Sequence, residues 1–185
     1  RRVLFRSHYG TTAQCVELPS YAGVDLAGTN VGGNYIGDFA DEATGKVVGD
    51  ALVAEGCDVL FVAAGNAGNG TFTAAKEADG VWLIGCDIDQ YDDGAKGSEN
   101  IMLTSTLKKM DTHVQKQLTA IYDGTFVGED AFLSVSTDGV GYVSEDGRQQ
   151  LSEETLEKLA ECYELVKDGT IVPAADATVN DYTPD

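Results

Sequence analysis

The segment GCDIDQ, residues 85–90, follows an apolar run and places the carboxylate of Asp87 where that run ends. A carboxylate at a strand end can accept two hydrogen bonds from the vicinal hydroxyls of a sugar ring, which fixes the ring's orientation. Asp89 and Gln90 lie farther into the loop and read as local bracing. Upstream, GNAGNG (residues 65–70) follows a second apolar run. Glycines at a strand-to-helix turn allow close approach of a ligand, and the first amides of the helix point outward. The spacing is G-x-x-G-x-G, neither the dinucleotide G-x-G-x-x-G nor a Walker loop, and a tight turn that merely needs glycine stands as the alternative. If both runs are neighbouring parallel strands, Asp87 and Gly65 leave the same sheet edge. Lys108, in LTSTLKKMD, falls on the first turn of a predicted helix, where its ammonium can reach that edge as a donor; a solvated helix lysine is the other reading. Its neighbour Lys109 reads as solvated.

Catalytic groups are scarce. The two histidines, His8 and His113, have no partner motif, and no G-x-S-x-G elbow, HExxH or Cys–His pairing occurs. The acids Asp92 and Asp93, and Asp38, Asp41 and Glu42, read as solvated loop carboxylates, and no metal site or cofactor is expected. With neither base nor nucleophile in place, the sequence argues for binding and against an enzyme. Cys15, Cys57, Cys86 and Cys162 are widely spaced, so no disulfide framework or zinc site is expected, and Cys57 and Cys86 read as small buried hydrophobes.

The net charge of −19, from 31 acids against 12 bases, disfavours nucleic-acid partners and anionic lipid surfaces. No apolar run approaches the roughly 18 residues of a membrane helix. The opening residues 1–7 (RRVLFRS) fit no element and read as a non-native artefact.

The elements that must position these groups are regular from Asp41 onward. Asp41 caps a predicted helix over 43–55, with Val47, Val48, Ala51 and Leu52 on its inner face and Gly56 ending it. Residues 57–64 (CDVLFVAA) and 81–86 (VWLIGC) read as strands buried on both faces, as in a parallel sheet covered by helices. Between them Phe72, Ala75 and Ala78 mark a second helix, stopped by Gly80. A short strand over 101–104 precedes a helix capped by Ser105, with Leu107, Met110, Val114, Leu118 and Ile121 as one stripe. Residues 132–143 predict a hairpin or a strand-turn-strand around Thr137, Asp138 and Gly139. Ser152 caps a last helix ending near Gly169, with Leu156, Leu159, Tyr163 and Val166 inward. This β-loop-α-β order is the core of a doubly wound α/β lobe.

Six segments in order, NYIGDFADEATGK, CDVLFVAAGNAGNGTFTAAKE, VWLIGCDIDQ, IMLTSTLKKMD, GVGYV and DGTIVP, resemble the basic membrane protein family of substrate-binding lipoproteins, the purine nucleoside receptor type. The resemblance covers residues 34–173. It implies an α/β, type I periplasmic-binding-protein-like fold, with a parallel sheet flanked by helices in two lobes that close on a nucleoside. It further implies ribose-binding roles for Asp87 and Lys108, with Ala64 and Gly65 lying against the ligand. In some relatives an aromatic ring near that loop stacks on the base, but the strand end here, Val62 to Ala64, has none. The family's early Ser-Phe-Asn segment has no match. The expected division is therefore a ligand-binding lobe over 8–103 and 128–173, a helix over 104–127 belonging to a mostly missing first lobe, and a tail over 174–185. The implied partners are a nucleoside and a membrane ABC permease, the implied location extracytoplasmic and lipid-anchored, and the complete protein monomeric. Two rivals remain open at this stage: a Rossmann-like nucleotide-using enzyme, since Asp87 lies 22 residues past Gly65, and the effector lobe of a transcription regulator or receptor.

Overall fold

The computed structural model describes residues 14–24 and 26–172, so the opening residues and the tail fall outside the described residues. The chain divides into two compact units, 1–83 with 172–185, and 84–171.

In the first unit, β1 (Ala22–Val24) and β2 (Asn30–Asn34) form an irregular antiparallel ribbon, a region without a sequence assignment. Helix α1 (Glu42–Ala54) follows, capped by the Asp41 carboxylate, which accepts from the Thr44 amide at 3.0 Å. That carboxyl is held below its ordinary value, chiefly by the Thr44 hydroxyl and amide. The buried face of α1 is Gly45, Val48 and Gly49, and Val47 points outward, contrary to the expected face. The reason is the partner. Helix α2 (Gly68–Glu77) lies so close that only glycine fits the contact. A Cβ on Gly70 would collide with the Glu42 carbonyl, and one on Gly45 with the Ala67 carbonyl. The buried Thr71 hydroxyl donates to the Gly45 carbonyl at 3.0 Å across this seam.

Strand β3 (Val59–Phe61) buries Leu60, while Val59 and Phe61 are exposed, so it is covered on one face and not on two. It lies at the edge of a sheet ordered β3-β4-β7-β8. The Trp82 amide, at the start of β4 (Trp82–Gly85), donates to the Asp58 carbonyl just before β3. Start meets start, so the two strands are parallel. Leu83 is fully buried.

In the second unit a turn of 3-10 helix (Tyr91–Gly94) and a small hairpin, β5 (Ala95–Lys96) with β6 (Glu99–Asn100), occupy the polar stretch after β4. Strand β7 is longer than expected, Met102–Lys108, and α3 begins only at Met110 and runs to Tyr122. Ser105 is therefore a buried strand residue and caps no helix. Its hydroxyl is spent on the Gln90 amide, 3.1 Å away, and the β-branched Thr104 and Thr106 beside it favour the extended form. The residue before α3, Lys109, provides no side-chain cap. The apolar stripe Met110, Val114, Leu118 and Ile121 of α3 lies open, each residue 52–61% exposed.

The expected hairpin over 132–143 does not form. Residues 135–138 turn, and β8 (Val140–Tyr142) pairs antiparallel with β7, Thr106 opposite Tyr142 and Lys108 opposite Val140. Helix α4 (Glu153–Lys167) starts at the expected Ser152 cap, 3.2 Å from the Thr155 amide. Its Tyr163 packs edge-on against Tyr142, ring centres 6.1 Å apart, and donates to the Val140 carbonyl at 3.1 Å. That contact ties α4 to the edge strand.

Candidate functional site

Asp87 follows the C-terminal end of β4 and adopts φ +76, a conformation that a non-glycine residue occupies at a cost. Three contacts hold it there. Its carbonyl accepts from the Lys108 amide at 2.9 Å, its Oδ1 is 2.8 Å from the Lys108 Nζ, and the Cys86 thiol lies 3.4 Å from the same oxygen. Lys108 thus meets Asp87 through backbone and side chain together. The paired amide and carbonyl join the end of β7 to the end of β4, so these strands are parallel too. Both side chains stay open, Asp87 42% and Lys108 62% exposed. The Oδ2 of Asp87 has no partner among the described residues, which leaves one carboxylate oxygen and two ammonium hydrogens for an incoming ligand.

The electrostatics match. The Lys108 ammonium draws the Asp87 carboxyl below its ordinary value, against a smaller opposing effect of burial. Asp87 in turn raises Lys108. The pair is charged throughout the neutral range and can offer an acceptor and a donor side by side.

Lys108 does this from a strand end and not from a helix turn, a correction to the sequence reading with a useful consequence. Ladder hydrogen bonds fix a strand end more firmly than a fraying first helical turn fixes a side chain. Gln90, expected to brace the loop, does so. Its side-chain oxygen accepts from the Cys86 amide at 2.9 Å, and its own amide donates to Ser105. Asp89 is bonded to the Tyr91 amide and to Arg148, at 2.9 and 2.7 Å. Cys57 and Cys86 are partly exposed, contrary to the expectation of buried hydrophobes, and neither forms a disulfide. Among the described residues no group of three or more potential ligands is placed to hold a metal ion, and no helix is long and apolar enough to cross a membrane.

In the first unit, Ala64 and Gly65 follow the C-terminal end of β3, and Gly65 takes φ +55 in a 3-10 turn, Gly65–Ala67, that runs into α2. Against this turn sits Phe39. Its carbonyl accepts from the Ala67 amide at 3.0 Å, and a Cβ on Gly65 would meet the Phe39 Cβ at 3.4 Å. The ring itself is open, with Phe39 76% exposed. Sequence reasoning passed over this aromatic because it looked for a ring on β3. The signal was the GDFAD stretch, an aromatic within a capping turn where Asp38 accepts from the Asp41 amide at 2.9 Å. A side chain held beside a glycine turn, with its ring in solvent, is a surface for stacking.

Comparisons with known proteins agree with this architecture. The "CD4+ T-cell-stimulating antigen" of Listeria monocytogenes is 31% identical over 88% of this chain and 49% of its own. The "ABC transporter nucleoside-binding protein BmpA" of Lactococcus lactis is 34% identical over 68% of this chain and 37% of its own. The chain spans about half the length, or less, of these curated relatives. A solved solute-binding protein of an ABC transporter system from Aeropyrum pernix superposes with a TM-score of 0.58 at 24% identity, over 77% of this chain and 48% of that one. The fold is accordingly the α/β fold of solute-binding proteins, a sheet with parallel strands flanked by helices. The family described as ABC transporter substrate-binding protein PnrA-like matches residues 22–176. The chain belongs to that family of substrate-binding proteins.

Proposed function

We propose that this chain is the ligand-gripping part of a substrate-binding protein that delivers a nucleoside, a purine nucleoside in particular, to an ABC importer. The observation that carries the reading is the Asp87–Lys108 pair: a strained, ionised carboxylate with one unpartnered oxygen, set beside an ammonium at two strand ends. Vicinal ribose hydroxyls both donate and accept, so they suit such a pair. The name of the Lactococcus relative supports the nucleoside class. Taken by itself, the first unit offers the exposed Phe39 ring as a surface for stacking and the backbone at Ala64 and Gly65 for close ligand approach. Capture is by closure of an α/β protein on the solute, with no bond made or broken, and the closed form docks on a membrane permease. The protein acts outside the cytoplasm, tethered by a lipid, as a monomer.

The test is calorimetry with adenosine, inosine and guanosine on the full-length natural protein that carries these residues. Low-micromolar or tighter binding is expected. Asp87→Ala should weaken it at least about tenfold, since a lost charge-assisted hydrogen bond costs about 1.5–3 kcal/mol. Unchanged affinity in that variant overturns the reading. Phe39→Ala should weaken nucleosides while leaving any affinity for free ribose as it was.

A further inference from the structure

The segment that presents Asp87 is crowded with charge. Asp87, Asp89, Asp92 and Asp93 place four carboxylates within seven residues, and these repel one another. Its inner edge is held by Gln90 and the buried Ser105. Its outer edge is held from far away in the sequence. Arg148, in the turn between β8 and α4, donates through Nε to Asp89 Oδ2 at 2.7 Å. Its two terminal nitrogens donate to the two oxygens of Asp92, at 2.9 and 3.2 Å. The guanidinium also lies over the Tyr91 ring, 5.1 Å from its centre. One planar cation therefore engages Asp89 just before the 3-10 turn and Tyr91 and Asp92 within it, a fork-and-stack arrangement that lysine cannot reproduce.

We propose that Arg148 is a positioning residue for ligand binding: it clamps the acidic loop so that Asp87 stands ready in its strained, ligand-accepting conformation. The proposal rests on the reading of Asp87 as the ligand's carboxylate. Arg148 touches no ligand in this scheme. It acts by neutralising Asp89 and Asp92, two anions that would otherwise push the loop apart, and by removing the ordering cost that a loose loop would impose on binding. Two of its three carboxylate bonds share one partner, Asp92, so loss of the cation frees both acids together.

The experiment pairs hydrogen exchange with calorimetry, on the full-length natural protein and with adenosine as the probe. Arg148→Met should speed exchange of the amides at 87–94, leave those of α1 and α2 unchanged, and weaken adenosine about three- to tenfold. Arg148→Lys should recover part of the affinity, because it restores one ion pair but neither the fork nor the stack. Asp89→Asn with Asp92→Asn removes the repulsion together with the bridges, so these amides should speed up less than in Arg148→Met, and adding Arg148→Met to that pair should change them little. Exchange at 87–94 that is unmoved by Arg148→Met overturns the clamp. Faster exchange with unchanged affinity overturns the positioning role. The Asp87→Asn variant separates the two readings: unchanged affinity there defeats the ligand assignment, while the exchange data still decide whether the clamp exists.

Discussion

The two strand-end segments of this molecule are held by different physics. The turn after β3, residues 64–70, is fixed by shape: glycines at 65 and 70, a helix seam without room for a Cβ, and backbone hydrogen bonds. The loop after β4, residues 87–94, is fixed by charge and polar side chains: Lys108, Gln90, Ser105 and Arg148. Steric definition is insensitive to solvent, and electrostatic definition is not. One segment therefore keeps its order in any ionic medium, and the order of the other depends on its ions.

The comparison breaks most sharply at Gly70. Replacing it with valine drives a side chain into the Glu42 carbonyl and should cost about 3 kcal/mol or prevent folding, read by urea denaturation. On the other side, Ser105→Ala leaves the partly buried Gln90 amide without its acceptor and should cost about 1–2 kcal/mol in the same assay. Acid should separate the segments by exchange rate. Lys108 draws Asp87 below the ordinary 3.8; burial pushes Asp89 up, but Arg148 and the Tyr91 amide more than offset it. Both carboxylates therefore contribute fully at neutral pH, and their contribution is lost only as pH falls below that ordinary value. Exchange at 87–94, corrected for intrinsic rates, should stay flat down to about pH 4 and rise below it, with no matching rise at 64–70. Salt gives a smaller effect of the same sign: about 1 M NaCl should speed exchange at 87–94 by a factor of about two and leave the glycine turn alone.

How far each segment could be read from the residues follows the same line. Asp41, Ser152 and the glycine stop at 56 marked helix ends correctly, because caps and left-handed stops are local chemistry, whereas the helix expected to run to Gly80 ends earlier, at Glu77, with Ala78 already extended. Asp87 and Lys108, singled out from the sequence, meet as an ion pair, but Lys108 was placed on the wrong element. The Ser105–Lys108 spacing imitates a helix start, and what makes it strand is the Gln90 amide, fifteen residues away, claiming the serine hydroxyl. The inner face of α1 was misjudged for a similar reason. Apolar periodicity favours Val47, whereas the contact with α2 selects the smallest residues, Gly45 and Gly49. Phe39 was marked only by its capping turn, and Arg148 carries no local motif at all, its contacts being with partners distant in the chain.

The glycine seam between α1 and α2 leaves the turn at 64–70 without a hinge of its own. Any displacement of that turn must carry α1 with it as a lever, because the Gly45 and Ala67 backbones are in direct apposition. A dye on the solvent-facing Val47 position would therefore act as a remote reporter of events at the turn.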